Sequence, residues 1–307
     1  MFSRFAAFAF ISFSATLSVA RDIYVDNVSG DDRFTGAYQS ETSTTGGPVR
    51  TIAKALRLAD PGDRIVLANR GRAYHEAVSL VGSRHSGNMD RPFVFDGGGA
   101  TLEGAAPVPH HAWEQVNDNV FRFKPDRLGL QQLFLFGKPA ARRPTSKDGD
   151  LPPLEPLEWC LTRGHIYFRT EDGRTPQSYQ PTCTVLESGV TLYKVRNVIV
   201  SNLVVQGFHT DGINAHDGSF DVVIDAVTCR GNARSGISVG GASRVEVRDS
   251  LLGDNGVAQM RTEGYSRASV EKCELLENTA PAYLVAGGRL WIDGKEVHNG
   301  AIAPAVP

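Results

Sequence analysis

The hydrophobic pattern is most regular between Val198 and Trp291, where one unit occurs four times. Its copies begin 24, 23 and 23 residues apart, and apolar and polar residues alternate in each copy. A constant period in the low twenties predicts a solenoid, whose units bury their apolar sides only against their neighbours. The alternation and the many Val and Ile residues favour β-strands over helices. The copies are Val198–Phe208, Val222–Asn232, Val245–Asn255 and Ala268–Asn278.

Each copy is followed by a second, shorter apolar segment, which predicts a second column of strands on the same coils. Its inward residues are Ile213, Ile237, Met260 and Tyr283. Asparagines also occupy one slot in three successive copies, and stacked Asn side chains can hydrogen-bond along a column of turns. This predicts an Asn ladder through Asn232, Asn255 and Asn278.

Upstream of the repeats, the pattern predicts one amphipathic helix over Thr51–Ala59, among short strands. The expected strands are Asp22–Asp26, Arg64–Leu67, Ala77–Val81, Pro92–Phe95 and Ala100–Leu102. The hydrophobic pattern changes between residues 108 and 181. Short apolar runs separated by glycine turns predict antiparallel hairpins there.

The repeat pattern resembles that of the right-handed parallel β-helix family, which includes pectate lyases, polygalacturonases and alginate lyases. The motifs Pro61–Asp63 and Tyr74–Val78 resemble the N-terminal cap of bacterial members, and residues 108–181 resemble a subdomain inserted in several β-helix glycoside hydrolases. The resemblance implies an all-β fold: a right-handed, single-stranded parallel β-helix with one short N-terminal capping helix and a small antiparallel β insertion.

We accordingly divide the chain into five segments. They are a signal peptide (1–20), the cap and first coils (21–107), the inserted subdomain (108–181), the main repeats (182–297) and a tail (298–307). The first segment has a short basic start, an uncharged apolar run and small residues near Ala20. These features are typical of a cleaved secretory signal. We therefore expect a secreted or periplasmic protein, with no membrane span.

Composition narrows the range of partners. The 32 basic and 34 acidic residues give a net charge of −2, and no basic stripe is visible in the sequence. We therefore expect neither nucleic acid nor an anionic membrane surface as a partner. The expected partner is an extracellular polysaccharide, and the expected state is a monomer. No spacing of Cys or His resembles a zinc site, and no cofactor is indicated, except that a lyase reaction could use Ca²⁺.

The four cysteines have different expected environments in an exported protein, where disulfides are permitted. Cys229 and Cys273 occupy inward slots two coils apart, which is too far for a bridge at ~4.8 Å per coil. We interpret both as buried core residues. A disulfide between Cys160 and Cys183 stays open at this point.

Candidate functional residues concentrate on the outward side of the second strand column. Alternation places Asn214, Ser238 and Arg261 in one outward column, and His216, Gly240 and Glu263 in the next. Polar groups over a floor of glycines suit an extended sugar chain. The candidate catalytic residues are Asp211, His216 and Glu263, and the candidate substrate-binding residues are His209, Asn214, Asp217, Arg234 and Arg261. We assign no metal ligands.

Two reactions fit these residue types. In a glycoside hydrolase, Asp211 or Asp217 would share acid and base roles with Glu263. In a polysaccharide lyase, His216 would be the base and Arg261 would bind the uronate. The alternative function is a non-catalytic β-helix for carbohydrate binding or cell-surface structure, as a shortened relative of such an enzyme.

One short element also resembles a catalytic landmark. His209–Ile213 is similar to the Asn-Thr-Asp-Gly-Ile element of polygalacturonases. The Asp-Asp pair expected on the next coil is replaced by residues 232–234 (Asn-Ala-Arg), and the Gly-His-Gly of the coil after it is replaced by residues 238–241 (Ser-Val-Gly-Gly). These departures put polygalacturonase chemistry in doubt.

Overall fold

Parallel strands stacked coil upon coil make up most of the molecule. The structure is a computed structural model that describes residues 20–145 and 149–299. Most of the predicted signal peptide and of the tail lies outside these ranges, so both stay predictions, as do the five segment boundaries. Within the described ranges, no helix is long and apolar enough to cross a membrane.

The larger sheet, sheet 1, has twelve strands in the described part of the chain. Nearly all of its neighbouring strands pair in parallel, and the last strand pairs antiparallel with the one before it. The strands are Asp22–Val25, Arg64–Leu67, Phe93–Asp96, Thr101–Glu103, Arg196–Gln206, Phe220–Arg230, Arg244–Arg248, Leu251–Gly253, Arg267–Glu271, Glu274–Leu275, Arg289–Ile292 and Lys295–Val297.

The smaller sheet, sheet 2, has six parallel strands among residues 20–145 and 149–299. They are Val78–Val81, Val190–Tyr193, Ile213–His216, Ser235–Val239, Ala258–Thr262 and Tyr283–Val285. The two sheets enclose one apolar core, in which Val200, Ile224 and Val247 from sheet 1 and Ile213 and Ile237 from sheet 2 are buried. The sequence therefore predicts both columns correctly.

Strand register confirms the repeat that was identified from spacing. Val198 pairs with Val222, Val222 with Val245, and Val245 with Ala268. In sheet 2, Ile237 pairs with both Ile213 and Met260. Because side chains alternate between faces along a strand, this register also determines which residues point outward.

A column of left-handed residues bends the coils of sheet 1. Asn202, Ala226, Asp249 and Lys272 occur at the repeat spacing and have φ angles of 51°, 51°, 48° and 52°. Asn and Asp tolerate this conformation better than other non-glycine residues, because their short polar side chains can hydrogen-bond locally. The bend lets one strand segment continue into the next without a long loop, so each coil stays near 23 residues.

A short helix closes the N-terminal end of the solenoid. It spans Ile52–Leu58, and Thr51 caps it by accepting a hydrogen bond from the backbone N–H of Lys54. The carboxylate of Glu76 accepts two more, from the N–H groups of Ile52 and Ala53, both at 3.0 Å. Glu76 is thus a structural residue that satisfies free donors at the helix N-terminus.

The segment between the first coils and the main repeats forms two small sheets. One is antiparallel and consists of Ala105–Pro107, Leu133–Leu135, Lys138–Pro139 and Thr182–Thr184. The other is mainly antiparallel and consists of Glu114–Gln115, Val120–Phe123, Ala141–Arg142, Glu158–Thr162 and His165–Arg169. Short 3₁₀ helices occur at Gly82–His85, His110–Ala112 and Pro176–Tyr179. The predicted hairpins are confirmed.

All four cysteines are free. Cys160 and Cys183 are buried in two separate apolar clusters of the insertion, so they form no disulfide. Cys229 is fully buried in the solenoid core, as predicted. Cys273 is only partly buried, because it lies near the last coils, where fewer residues cover the core.

The predicted Asn ladder is shorter than expected. Asn232 donates to the side chain of Asn255 at 3.0 Å, and both residues are buried. Asn255 then donates to Gln259 at 2.7 Å instead of to Asn278. Asn278 is exposed and donates to Asp254. The prediction for Asn278 was wrong, because the Gln259 side chain fills the place that the third Asn would take.

The C-terminal coils end in two different ways. In sheet 1, the strand Lys295–Val297 turns back and pairs antiparallel with Arg289–Ile292. In sheet 2, the side chain of Asn299 accepts from the backbone N–H of Val285 at 2.7 Å and donates to its carbonyl. One amide group therefore occupies the hydrogen-bonding positions that a further strand would use.

Candidate functional site

The predicted outward column of sheet 2 is present in the structure. Asn214 pairs with Ser238, and Ser238 with Arg261, on three successive coils. His216 is the last residue of the first of these strands, and Gly240 and Glu263 directly follow the second and the third. We call this surface the sheet 2 face.

Asp211 and Arg234 form a buried ion pair at the edge of this face. Nε of Arg234 donates to Oδ1 of Asp211 at 2.9 Å, and Nη2 donates to Oδ2. Asn214 adds a third hydrogen bond, from Nδ2 to Oδ2, at 3.1 Å. The two residues meet because each comes just before its sheet 2 strand, one coil apart. Asp211 is completely inaccessible to solvent.

Burial raises the pKa of the Asp211 carboxyl, and the hydrogen bond and charge of Arg234 oppose that effect. The hydrogen bond that Arg234 donates to Asp211 in turn raises the pKa of Arg234, against the desolvation of its guanidinium. Since an arginine stays protonated in proteins, the bidentate geometry indicates an ionised pair at neutral pH. A carboxylate held in this way is poorly placed to exchange protons with a sugar.

A second ion pair lies in the middle of the face. Nη2 of Arg261 is 2.8 Å from Oε2 of Glu263, which follows directly after the end of the same strand. Both side chains are only partly buried, at 20% and 29% exposure. The charge of Glu263 acts on both Asp211 and Arg234, so the two pairs belong to one electrostatic cluster. Nε of Arg261 is buried and has no hydrogen-bond partner.

Gly240 lies between His216 and Glu263, and its lack of a side chain lets both polar side chains approach the backbone there. A Cβ atom at Gly240 would lie 2.7 Å from Nδ1 of His216 and 3.2 Å from Oε1 of Glu263. Both polar atoms therefore lie close to the same point. Asp217 follows His216 in a left-handed turn, and its Oδ1 is 3.7 Å from Nε2 of the histidine. His216 and Asp217 are about half exposed.

The structure places His209 apart from the other candidates. Its side chain is 8% exposed, and Nδ1 is 3.3 Å from Nε2 of Gln131 in the insertion. Gly129 lies so close to Nε2 that an added Cβ would come within 2.6 Å. Burial lowers the pKa of His209, which favours the neutral ring. His209 therefore packs beneath the insertion, although it was expected on the sugar-binding face.

Sequence reasoning missed the role of the serines on this face. Alternation predicts Ser238 in an outward position, yet Ser238 is 1% exposed between Asn214 and Arg261. The hydroxyls of Ser235 and Ser238 are buried without a hydrogen-bond partner. Buried polar groups without partners are uncommon, so these two hydroxyls are an exception to the usual hydrogen bonding of a protein interior. The available signal was the position of Ser238 between two long polar side chains.

Larger concave surfaces lie elsewhere on the molecule. A groove of about 480 Å³ crosses the outer side of sheet 1, and a cavity of about 370 Å³ lies between the insertion and the solenoid. Phe134, Lys138 and Arg230 are among the residues that line the cavity. Neither surface includes Asp211, His216 or Glu263. The described residues contain no group of three or more His, Cys, Asp or Glu side chains that could hold a metal ion.

Fold and register together define a parallel β-helix protein. Residues 187–302 match the protein family described as "Right handed beta helix region", which gives the hand of the coil. The described residues thus have a parallel β-helix fold, with one short α-helix and small antiparallel sheets. A search of curated protein sequences finds no match.

Several solved structures align with this chain at low sequence identity. One described as "Glycoside hydrolase" is 10% identical, with a TM-score of 0.59, over 83% of this chain and 73% of that one. XylC in complex with xylose is 13% identical, with a TM-score of 0.45, over 88% and 66%. Pectate lyase Pel9A is 9% identical, with a TM-score of 0.30, over 94% and 82%. At such identities, the similarity concerns the fold alone.

Proposed function

We propose that the protein is a secreted carbohydrate-active enzyme whose reaction takes place over Gly240 on the sheet 2 face. The observation that carries this proposal is the convergence of His216 and Glu263 on one point above that glycine, with Arg261 beside them. His216 and Asp217 are about half exposed, so a sugar can reach them from solvent, and the polar groups around Gly240 can bind hydroxyls and a carboxylate.

Elimination from a uronate polysaccharide suits this geometry best. His216, which is half exposed, would remove the proton on the carbon next to the uronate carboxylate. Electrons of that C–H bond would form the ring double bond as the glycosidic C–O bond breaks, and water would protonate the leaving oxygen. Arg261, whose side chain is 20% exposed, would neutralise the uronate through its guanidinium charge, while Glu263 keeps the guanidinium in place.

Hydrolysis is the second candidate. Asp211 is a poor member of a catalytic pair, because it is buried and bound by Arg234. Asp217 and Glu263 are the better pair, since their carboxylates approach the neighbouring glycines 241 and 240. A hydrolase would use one as acid and the other as base or nucleophile. The ion pair of Asp211 also favours a non-catalytic carbohydrate-binding protein, which is the third outcome to test.

A panel of acidic and neutral polysaccharides distinguishes these functions. Elimination produces both new reducing ends and ultraviolet absorbance from the unsaturated sugar, whereas hydrolysis produces reducing ends only. We expect both signals on a polyuronate, and a decrease in turnover of about 100-fold or more in H216A. H75A is the matched control, because His75 is exposed near the N-terminal cap. Reducing ends without absorbance would support hydrolysis by Asp217 and Glu263. No signal on any glycan would support a carbohydrate-binding protein without catalytic activity.

A further inference from the structure

A column of arginines crosses the outer side of sheet 1, away from the sheet 2 face. Arg244 pairs in register with Arg267, and Arg267 with Arg289, on three successive coils. Arg196 lies two coils before Arg244 and pairs with Phe220 on the coil between them. All four arginines are exposed. We call this surface the arginine column.

Aromatic rings hold several of these guanidinium groups in place. The Phe220 ring has Arg196 4.6 Å from its centroid and Arg244 5.7 Å from it. Arg289 lies 4.8 Å from the Trp291 ring centroid. A guanidinium packed on a ring loses part of its rotational freedom. Its N–H groups lie in the guanidinium plane and can still donate hydrogen bonds. The column is thus better ordered than four isolated surface arginines would be.

Three of the four arginines in the column form no ion pair within the described residues. Arg196, Arg244 and Arg267 have no carboxylate within ion-pair distance among residues 20–145 and 149–299, whereas Arg289 is 2.6 Å from Glu296. Two acidic residues, Asp221 and Glu246, also line the groove, and Glu246 is 3.6 Å from Arg248. The groove therefore presents cations at regular intervals, with carboxylates beside them.

The groove along this column has the dimensions of a chain-binding site. Its volume is about 480 Å³, and its lining includes Arg244, Arg267, Ser269 and Trp291. Neighbouring strands are ~4.8 Å apart, so the arginines repeat at that interval along the helix axis. A linear polyuronate carries one carboxylate per sugar, at a comparable interval. Arginine binds carboxylates through paired N–H donors, and indole rings stack on the apolar faces of sugars.

We infer that the arginine column binds a linear acidic polysaccharide that lies along the helix axis, with Trp291 as a stacking platform at one end. This surface is separate from the sheet 2 face, and the inference does not depend on the proposed reaction. The sequence showed no basic stripe, because successive arginines of the column lie 48, 23 and 22 residues apart along the chain and meet only in the coil.

The experiment measures the affinity of the full chain for polygalacturonate by isothermal titration calorimetry, with fully methyl-esterified polymer as the neutral comparison. We expect binding to the acid form only, and weaker binding at higher salt, since exposed charges are screened. The R244Q/R267Q variant should weaken binding about tenfold at low salt. The matched control is R57Q/R72Q, which removes two exposed arginines outside the column.

Three results would overturn the inference: equal weakening in both double variants, unchanged affinity in R244Q/R267Q, or equal affinity for the esterified polymer. Double-stranded DNA of similar charge is a further probe, and binding as tight as that of polygalacturonate would assign the column to nucleic acid instead. Turnover of short oligosaccharides should be unchanged in R244Q/R267Q. A failure here and a failure of the proposed reaction are therefore separate observations.

Discussion

Two sets of arginines on the same coils have opposite surroundings. Arg234 and Arg261, on the sheet 2 side, are 23% and 20% exposed, and each is bound to a carboxylate. Arg244 and Arg267, on sheet 1, are exposed and have no carboxylate partner in the described part of the chain. The same coils therefore carry one face on which each of these arginines is paired with a carboxylate and a second surface on which two arginines have no such partner.

The largest expected effect is a loss of stability when a paired arginine of the sheet 2 side, rather than an arginine of the column, is replaced. Replacing Arg234 with Met leaves the buried carboxylate of Asp211 without its cation, which costs about 3 kcal/mol or more. The matched change R244M removes an exposed side chain whose one ring contact is with Phe220, and should cost less than about 1 kcal/mol. Urea unfolding of both variants measures the free energy of unfolding.

A double variant checks the cause of that cost. D211N/R234M should be more stable than R234M, because a neutral Asn needs no counter-ion. If R234M and R244M lose the same stability, the contrast between a buried pair and an exposed arginine is wrong.

A smaller effect is expected at Gly240. In G240A the new Cβ displaces His216 and Glu263, because it would lie 2.7 Å and 3.2 Å from their atoms. We expect kcat/KM on the responsive polysaccharide to fall about tenfold, since small displacements of reacting groups are costly. Both neighbours are side chains that can move, so the free energy of unfolding should change by less than about 1 kcal/mol.

The control for Gly240 is A286S, a small exposed change further along the same outward column. It should leave both kcat/KM and stability unchanged. Normal turnover in G240A would show that the reaction takes place away from the sheet 2 face.

The smallest effect concerns His209 and pH. Burial, followed by the charge of Arg127, lowers the pKa of His209 below 6.5, and Glu187 opposes this effect. The unfolded chain then binds more protons than the folded one between these two pKa values, so stability falls as the pH drops below about 6.5. Urea unfolding between pH 7 and pH 5 should show this decrease, and H209Q should reduce it.

His85 is the internal control for this measurement. Burial lowers its pKa as well, so part of the pH dependence should remain in H209Q. An unchanged slope in H209Q would mean that His209 is accessible enough to protonate in the folded protein.

The period of the sequence predicts the coils well, because it reports which residues repeat on the inside. Val198, Val222, Val245 and Ala268 are in register as expected. The outward columns follow from the same alternation, which explains why Asn214, Ser238 and Arg261 meet. Sequence patterns are most informative where the backbone geometry alone determines the neighbours.

Side-chain pairs in the turns could not be predicted from the alternation of the sequence. Asp211 and Arg234 lie just before their strands, where alternation no longer gives a direction, so their burial could not be predicted. The same limit applies to Gln259, which replaces Asn278 in the Asn ladder. Net charge was equally uninformative about the arginine column, because a total of −2 averages over both faces.

The reversed strand Lys295–Val297 and the amide of Asn299 also affect how copies of the protein can meet. A parallel β-helix exposes unpaired strand edges at its ends, and such edges can pair with those of another molecule to form a fibre. Here an antiparallel strand follows the parallel ones in sheet 1, and a side chain occupies the edge at Val285 in sheet 2. The antiparallel strand and the Asn299 side chain therefore both interrupt the parallel strand pairing that end-to-end polymerisation would require.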